Sequence, residues 1–357
     1  MKGLLLSGGS GTRLRPLTHS GPKQLIPVAN KPVLIYALED LRDAGIVDIA
    51  VILGSNGREQ VMEKLGDGTQ YGVTITYIDQ GEPLGIAHAV ACAEEFMAGD
   101  PFVVYLGDNI LKQGIKHFVD NYDEGNCDAV IALQRVSDPQ RFGVAELNGK
   151  GRVVQLVEKP EVPKSDLALV GVYLLTDSIF DMIRQITPSW RNELEITDAL
   201  QKLIDSDFVV DCHVVEGWWK DTGRPEDILE VNRLILDELK PDLKGEIEAG
   251  AIVKGRVSIG KGTIIKRGGV VYGPTIIGQN CIIGPTTYIG PYTSIGDNTC
   301  ITGAHIEDSI IIGDSTITCS KQIVESLIGD KTRIRSMDHK LPRGHRLIVG
   351  ASSSIDL

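Results

Sequence analysis

The sequence predicts two successive architectures, an open α/β sheet followed by a coil of six-residue repeats, and two patterns carry that prediction. In the first part, short β-branched apolar runs alternate with segments of helical period, as in sheets whose strands are buried on both faces. In the second, Ile247, Val253, Ile259, Ile265, Val271, Ile277, Ile283, Ile289, Ile295 and Ile301 stand six apart without a break. Neither a helix nor an ordinary strand produces that spacing. A length of 357 residues agrees, being long for one core.

The chain opens on the apolar run Leu4 to Leu6, which leads into Gly8, Gly9, Ser10, Gly11 and Thr12 and then Arg13, Arg15 and Lys23. Glycine amides can turn toward an anion because no Cβ blocks the approach, and nearby cations add full charge to those dipoles. The stretch reads either as a phosphate cradle or as a plain strand-to-helix turn. It is not a Walker loop, since no Gly-Lys-Ser/Thr follows, and not GxGxxG, since position 14 is Leu.

Further strands are expected at Ile49–Leu53, Val73–Ile78, Phe102–Leu106 and Ala129–Leu133, with helices at Val33–Ala44, Arg58–Leu65, Ile86–Phe96 and Ile115–Tyr122. In such a sheet the ligand crevice lies beyond the carboxyl ends of the strands, where the Gly-rich loop and Gly107-Asp108-Asn109 both fall. Phe142–Pro160 predicts a hairpin turning at Asn148-Gly149, and Ala168–Thr176 a returning strand. Helical segments follow from Ser178 and from Asn192, and an amphipathic helix over Pro225–Leu239 is expected to close the domain.

Pro241 to Gly245 reads as a linker, dividing the chain into residues 1–240, a repeat domain over 246–335 and a tail over 336–357. Each six-residue unit points one aliphatic side chain inward and then turns a corner, so stacked coils bury a column. Gly260, Gly278, Gly284, Gly290 and Gly296 follow column residues; the phase slips after Ile301, at Ile306, and resumes through Ile311, Ile317 and Ile323. The tail carries Asp338, His339, Arg343 and His345 and suggests a loosely held end or a partner contact.

A net charge of −12 argues against a general nucleic-acid or membrane surface while leaving room for a local cationic cleft. Six scattered cysteines without CxxC point to a reducing compartment. There is no signal-like start, and no apolar run approaches the roughly 18 residues of a membrane helix. A soluble, cytoplasmic protein is expected.

Asp108 in LGDN and Asp221 in WWKDTG are candidate metal carboxylates, each also readable as a helix N-cap. Two of them beside a phosphate loop would suit Mg²⁺, which takes a couple of carboxylates plus phosphate oxygens and water. Lys159 offers a cation and Glu158 an acceptor for sugar hydroxyls; both also read as a solvated pair at a hairpin end. Glu193, Glu195 and Asp198 read as the acidic start of a helix, and Gln80 could meet a base edge.

The motifs GGSGTRL, PKQLIPV, QGEPLGIAHA, LGDN, FGV, VEKP, NELEITD and WKDTG, in that order over roughly the first 240 residues, resemble the sugar-1-phosphate nucleotidylyltransferases, above all the glucose-1-phosphate thymidylyltransferases. The resemblance implies a Rossmann-like open mixed sheet, and the repeats resemble the left-handed parallel β-helix of the longer members. It implies that Gly8, Gly9, Gly11 and Thr12 hold the triphosphate with Arg13 against it, that Lys23 and Gln24 contact phosphate and substrate, and that Gln80 and Gly85 meet the pyrimidine. Asp108 and Asp221 would carry Mg²⁺, and Asn109, Gly143, Glu158, Lys159 and Val170 would line the sugar-phosphate site.

The implied substrates are dTTP, or UTP, and glucose 1-phosphate, or an amino-sugar phosphate, in a homo-oligomer. The turn QGEPLGIAHA departs from the PDGLAQA of the short enzymes, which leaves the base choice open. Two rival readings are a second, acetyl-transferring activity with His305 as base, and a non-catalytic sensor of sugar nucleotides.

Overall fold

The computed structural model describes residues 1–9, 11–122 and 127–336. The expected tail lies outside the described residues except for Ser336. Two compact units emerge, with residues 12–19, 26–32 and everything from Thr222 onward grouped with the repeats.

The first unit is built on a nine-stranded mixed sheet. Its parallel centre is β1 (Lys2–Ser7), flanked by β4 (Asp48–Leu53) and β6 (Phe102–Leu106), with β5 (Thr74–Asp79) beyond β4. The strands β2 (Pro27–Val28) and β3 (Lys31–Pro32) form a separate hairpin in the second unit. Beyond β6 the sheet turns antiparallel through β11 (Leu167–Leu175), which also pairs with β8 (Ala129–Arg135) and β9 (Gly143–Leu147). Strand β10 (Val153–Glu158) closes one edge, and β12 (Val210–Val214) runs parallel to β8.

Helices α1 (Val33–Asp43), α2 (Arg58–Leu65), α3 (Ile86–Ala91), α4 (Glu94–Met97), α5 (Lys116–Asp120), α6 (Ser178–Ile183) and α7 (Ile196–Asp205) connect the strands. Their apolar faces and the sheet make two clusters, one around Leu4, Val104 and Phe102, the other around Leu5, Val103 and Tyr105. Consecutive residues of β1 thus alternate between them, as side chains of a doubly covered strand must. The expected helix over Ile86–Phe96 is interrupted between α3 and α4. The hairpin loop is longer than a two-residue Asn-Gly turn: Asn148 and Arg152 bond across it, and Gly151 takes the positive φ.

A short ribbon stands apart from the main sheet. Strand β7 (Asn109–Leu111) pairs antiparallel with β13 (Trp219–Asp221), matching Asp221 to Asn109.

The second unit contains α8 (Pro225–Leu236) and the repeats. The repeats form the expected left-handed parallel β-helix, its strands falling into faces of six, six and five. Ile259, Ile277 and Ile295 stack on one face, and Ile265, Ile283 and Ile301 on the next, each at most 1% exposed. Each fully buried Ile contributes about 1.5–3 kcal/mol by transfer out of water. The column weakens at its start, where Ile247 is 39% exposed because no coil precedes it. Where the six-residue phase breaks, the corners shorten instead of the strands, so Ile311 and Ile317 still lie beside Ile295 and Ile301. The expected linker is not one: Asp242 and Leu243 pair with Ser258 and Ile259 as the first coil strand.

Candidate active site

The parallel strands β6, β1, β4 and β5 end side by side, and their carboxyl ends lead into the Gly-rich loop, Gln80 and Asp108. Gly107 N–H donates to Leu6 O (2.9 Å) and Gln80 N–H to Leu53 O (3.0 Å), so the turns leaving the strands are themselves laced together. The glycines are needed for proximity. A Cβ on Gly54 would come 2.6 Å from Gly8 O, one on Gly107 2.5 Å from Leu34 Cδ1, and one on Gly9 3.0 Å from Lys23 Cε. The loop thereby brings its backbone against Lys23, Gln24 and the buried Gln80.

Asp108, 14% exposed, forms an ion pair with Lys23, 13% exposed. Burial by itself raises its pKa, but the Lys23 ammonium and the hydrogen bond from Asn109 Nδ2 (2.9 Å) outweigh this and hold the carboxyl below its ordinary range. Asn109 is oriented in turn by Trp219 Nε1, which donates to its Oδ1 (2.6 Å). Since β13 sets Asp221 opposite Asn109, Asp221 pairs with the residue next to Asp108, although the sequence separates the two aspartates by more than a hundred positions.

That pair fits Mg²⁺. The donors are hard oxygens, Asp221 on β13 and Asp108 in the turn leading into β7, and Asp108 stays ionised. Among the described residues no cluster of three or more His, Cys, Asp or Glu is arranged for a metal. Such a site suits an ion that keeps one or two protein carboxylates and completes its shell with phosphate and water. Beside it, the buried Gln24 Oε1 and Ser7 Oγ have no hydrogen-bond partner among the described residues. Orphaned buried acceptors of this kind are uncommon without a ligand or water to meet them.

A second charged cluster lies where β9, β10 and the start of α7 converge. Arg191 Nη1 donates to Glu158 Oε1 (3.0 Å) and lies 3.5 Å from Glu195 Oε1, while its other nitrogen pairs with Glu193. Lys159 Nζ stands 3.1 Å from the same Glu158 oxygen, and Ser189 Oγ donates to Glu195 Oε1 (2.7 Å). Burial, together with Glu158, raises the Glu195 carboxyl despite Ser189 and Arg191. Asp198 is raised too, by burial and by Glu158. Gly143 is small by necessity here, since a Cβ would come 2.7 Å from Thr197 Cγ2 and 3.1 Å from Glu158 Oε2. The phenol of the buried Tyr173 is raised by burial, and further by Glu158 and Asp108.

Gly85, at φ 110°, packs against Leu194, whose N–H and C=O bond to Leu84 O (2.7 Å) and Ala87 N–H (3.1 Å). The QGEPLG turn and NELEITD are therefore one structure. Gln80 Nε2 donates to Gly85 O (3.2 Å). Val170 is fully buried in the core, and the β11 ladder is irregular between Leu169 and Tyr173. Thr12 and Arg13 fall in the second unit, in the 3₁₀ turn Thr12–Leu14, and both are exposed. His305 is exposed on the coil, its ring tilted against Tyr288 at 5.8 Å.

Sequence reasoning missed Arg191, Ser189, Thr197 and Tyr173, and gave Trp219 no role. Arg191 and Trp219 border or occupy quoted motifs, but their partners lie too far along the chain for spacing to reveal.

A sheet end that gathers a glycine loop, cations and paired carboxylates defines a protein that handles phosphate esters, and comparison with known proteins agrees. Residues 2–238 match the nucleotidyl transferase family, and residues 271–340 match the GMPPB C-terminal domain. The chain belongs to the nucleotidyl transferase family and is an enzyme of that class. It is 54% identical to the low-salt glycan biosynthesis nucleotidyltransferase Agl11 of Haloferax volcanii, across the whole of both chains. It is 49% identical to the glucose-1-phosphate thymidylyltransferase of Streptomyces antibioticus, covering 100% of this chain and 99% of that one. A Bacillus anthracis structure assigned as a glucose-1-phosphate thymidylyltransferase, with sucrose bound, superimposes with a TM-score of 0.62 at 38% identity, over 66% of this chain and 94% of that one. No helix among the described residues is long and apolar enough to cross a membrane.

Proposed function

We propose that the chain transfers a thymidylyl group from dTTP to glucose 1-phosphate, giving dTDP-glucose and pyrophosphate. The coarser activity, nucleotidyl transfer to a sugar 1-phosphate, rests on the family and on the thymidylyltransferase relative matched end to end. The observation that carries the reading is the β7–β13 pairing, which sets Asp221 opposite Asn109, the residue next to an Asp108 kept ionised by Lys23.

A sugar phosphate is already an oxyanion at neutral pH. Its oxygen bonds to the α-phosphorus in line as the bond to the β-phosphate oxygen breaks, and pyrophosphate leaves with the electron pair; no general base is needed. The barrier lies in bringing two anions together and aligning them, which is where positioned charge acts. Mg²⁺, held by Asp108 and Asp221, would supply Lewis-acid neutralisation of the nucleotide phosphates.

Gly8, Gly9, Gly11 and Thr12 would present amides to the triphosphate, with Arg13, Lys23 and Gln24 beside it. Gln80 and Gly85 would meet the pyrimidine. Asn109, Gly143, Glu158 and Lys159 would hold the sugar phosphate, with the backbone of Val170. Glu158 is already fixed by Arg191, so it is a rigid acceptor. The flat faces of the coil support association of identical chains.

Pyrophosphate release with Mg²⁺ across dTTP, UTP, GTP, ATP and CTP, each against glucose, N-acetylglucosamine, galactose and mannose 1-phosphates, tests the reading. The dTTP and glucose 1-phosphate pair should dominate. Because thymine and uracil differ by one methyl, UTP should fall behind by about 10- to 200-fold at most. Silence with every pair would sink the proposal and favour the sensor.

A further inference from the structure

Gln80, the residue after β5, is 8% exposed, and its backbone N–H donates to Leu53 O (3.0 Å). Its side-chain Nε2 lies 3.2 Å from Gly85 O and 3.4 Å from His88 Nδ1 on α3. A backbone carbonyl only accepts, so the atom turned to Gly85 is the amide nitrogen and the carboxamide has one orientation.

The imidazole is specified in turn. Two donors cannot share one contact, so His88 Nδ1 is bare where it meets the Gln80 amide. The ring proton then sits on Nε2, which is 3.9 Å from Cys92 Sγ. A chain of hydrogen bonds results, in which Gln80 donates to His88 and His88 donates to Cys92.

The consequence lies at the other end of the carboxamide. Both amide protons of Gln80 are committed, one to Gly85 O and one to His88, so Oε1 alone is left to meet a ligand. That oxygen lies over the glycine loop, where a Cβ on Gly8 would collide with it. Pyrimidines differ at the atom such an acceptor would face. Thymine and uracil carry an N–H at N3, whereas cytosine has a bare N3 beside its exocyclic amine. An acceptor at N3 receives a hydrogen bond from the first two and meets a lone pair in the third, which leaves polar groups unpaired.

We propose that His88 is a positioning residue that sets base specificity: by taking the second amide proton of Gln80, it leaves only Oε1 to face the pyrimidine, admitting bases with an N3–H and rejecting cytosine. The proposal deepens the reading given under Proposed function and rests on it for Gln80 meeting the base, but not for the hydrogen-bond chain. The thymine methyl plays no part in it, so dTTP and UTP respond alike.

The full-length protein tests this with dTTP, UTP and CTP as probes, by kcat/KM with glucose 1-phosphate and by calorimetric binding with Mg²⁺ in the absence of the sugar phosphate. Wild type should favour dTTP over CTP by about 100-fold or more. His88→Leu removes the acceptor and frees an amide proton that a bare N3 can accept. It should lower the dTTP-to-CTP ratio about 10-fold and leave the dTTP-to-UTP ratio within about twofold. His88→Asn, whose Oδ1 can accept in place of Nδ1, should recover most of the lost selectivity. If His88→Leu does not fold, His88→Ala is read in the same way.

A His88 that merely packs α3 against the sheet would weaken all three nucleotides together, and an unchanged dTTP-to-CTP ratio in the folded variants overturns the proposal. So does a wild-type protein that binds CTP as tightly as dTTP. Absence of product from every pair in wild type, with a dTTP-to-CTP binding ratio that falls in His88→Leu and returns in His88→Asn, would overturn the assigned reaction and uphold the role of His88.

Discussion

Ile265 and Asp221 reach their places by different means. Ile265 enters the buried column because the short strand that carries it repeats above and below it, so each coil contacts only its neighbours. Asp221 reaches Asn109 only because β13 returns to pair with β7 after the whole of the intervening sheet has been built. In the coil, position along the chain and position in space are nearly the same variable. At the sheet end they are not, and identical residue types take opposite parts: Asp108 is partly buried and ionised beside Lys23, whereas Asp297, on a coil corner, caps a backbone N–H of Gln279 at 2.6 Å.

The contrast predicts where substitutions act. Asp108→Asn, nearly constant in volume, should lower turnover about 10³-fold, or about 4 kcal/mol in the barrier, while the circular dichroism and melting transition stay close to wild type. A variant with near wild-type turnover would remove Asp108 from the mechanism. In the coil the expectation reverses. Ile265→Ala should cost about 2–5 kcal/mol of stability in the repeat unit, by lost transfer energy and the cavity left behind, yet leave kcat within about twofold below the melting range. Denaturant unfolding paired with kinetics separates the two outcomes, and a large loss of kcat in the folded variant would erase the distinction.

A smaller effect sharpens the site side. The Glu195 carboxyl titrates above its ordinary range when folded, so its contribution to stability is fully present below about pH 4.3 and declines as pH rises through the raised value. Urea unfolding from pH 4 to 7 should therefore show a shallower decline, or a steeper gain, for Glu195→Gln than for wild type. Parallel curves would mean that Glu195 carries no such burden.

Much of this structure was legible because its signals are local. The hexapeptide register from Ile247 to Ile301, the strand runs such as Phe102–Leu106 and the close-approach glycines of the first loop are all short-range facts. Their limits are equally physical. Pro241 to Gly245 has the composition of a linker, but a neighbouring coil offers its backbone a ladder, and Asp242 and Leu243 take it. Helix α8 has the amphipathic pattern of a domain-closing helix; what that pattern cannot say is which unit it faces, and Asn232 faces the coil. Arg191 gave no signal because its meaning lies in Glu158, reached only when β10 and the start of α7 converge. The resemblance implies Val170 as a lining residue, yet its side chain belongs to the core.

We propose that the β7–β13 ribbon brings Asp108 and Asp221 to one metal-dependent phosphate site. The measurement that tests it most directly is the Mg²⁺ dependence of dTDP-glucose formation in wild type and Asp221→Asn. The ribbon predicts that the half-saturating Mg²⁺ concentration rises at least about 10-fold in the variant, with partial recovery of rate at high Mg²⁺. An unchanged Mg²⁺ dependence in a folded Asp221→Asn protein would contradict it.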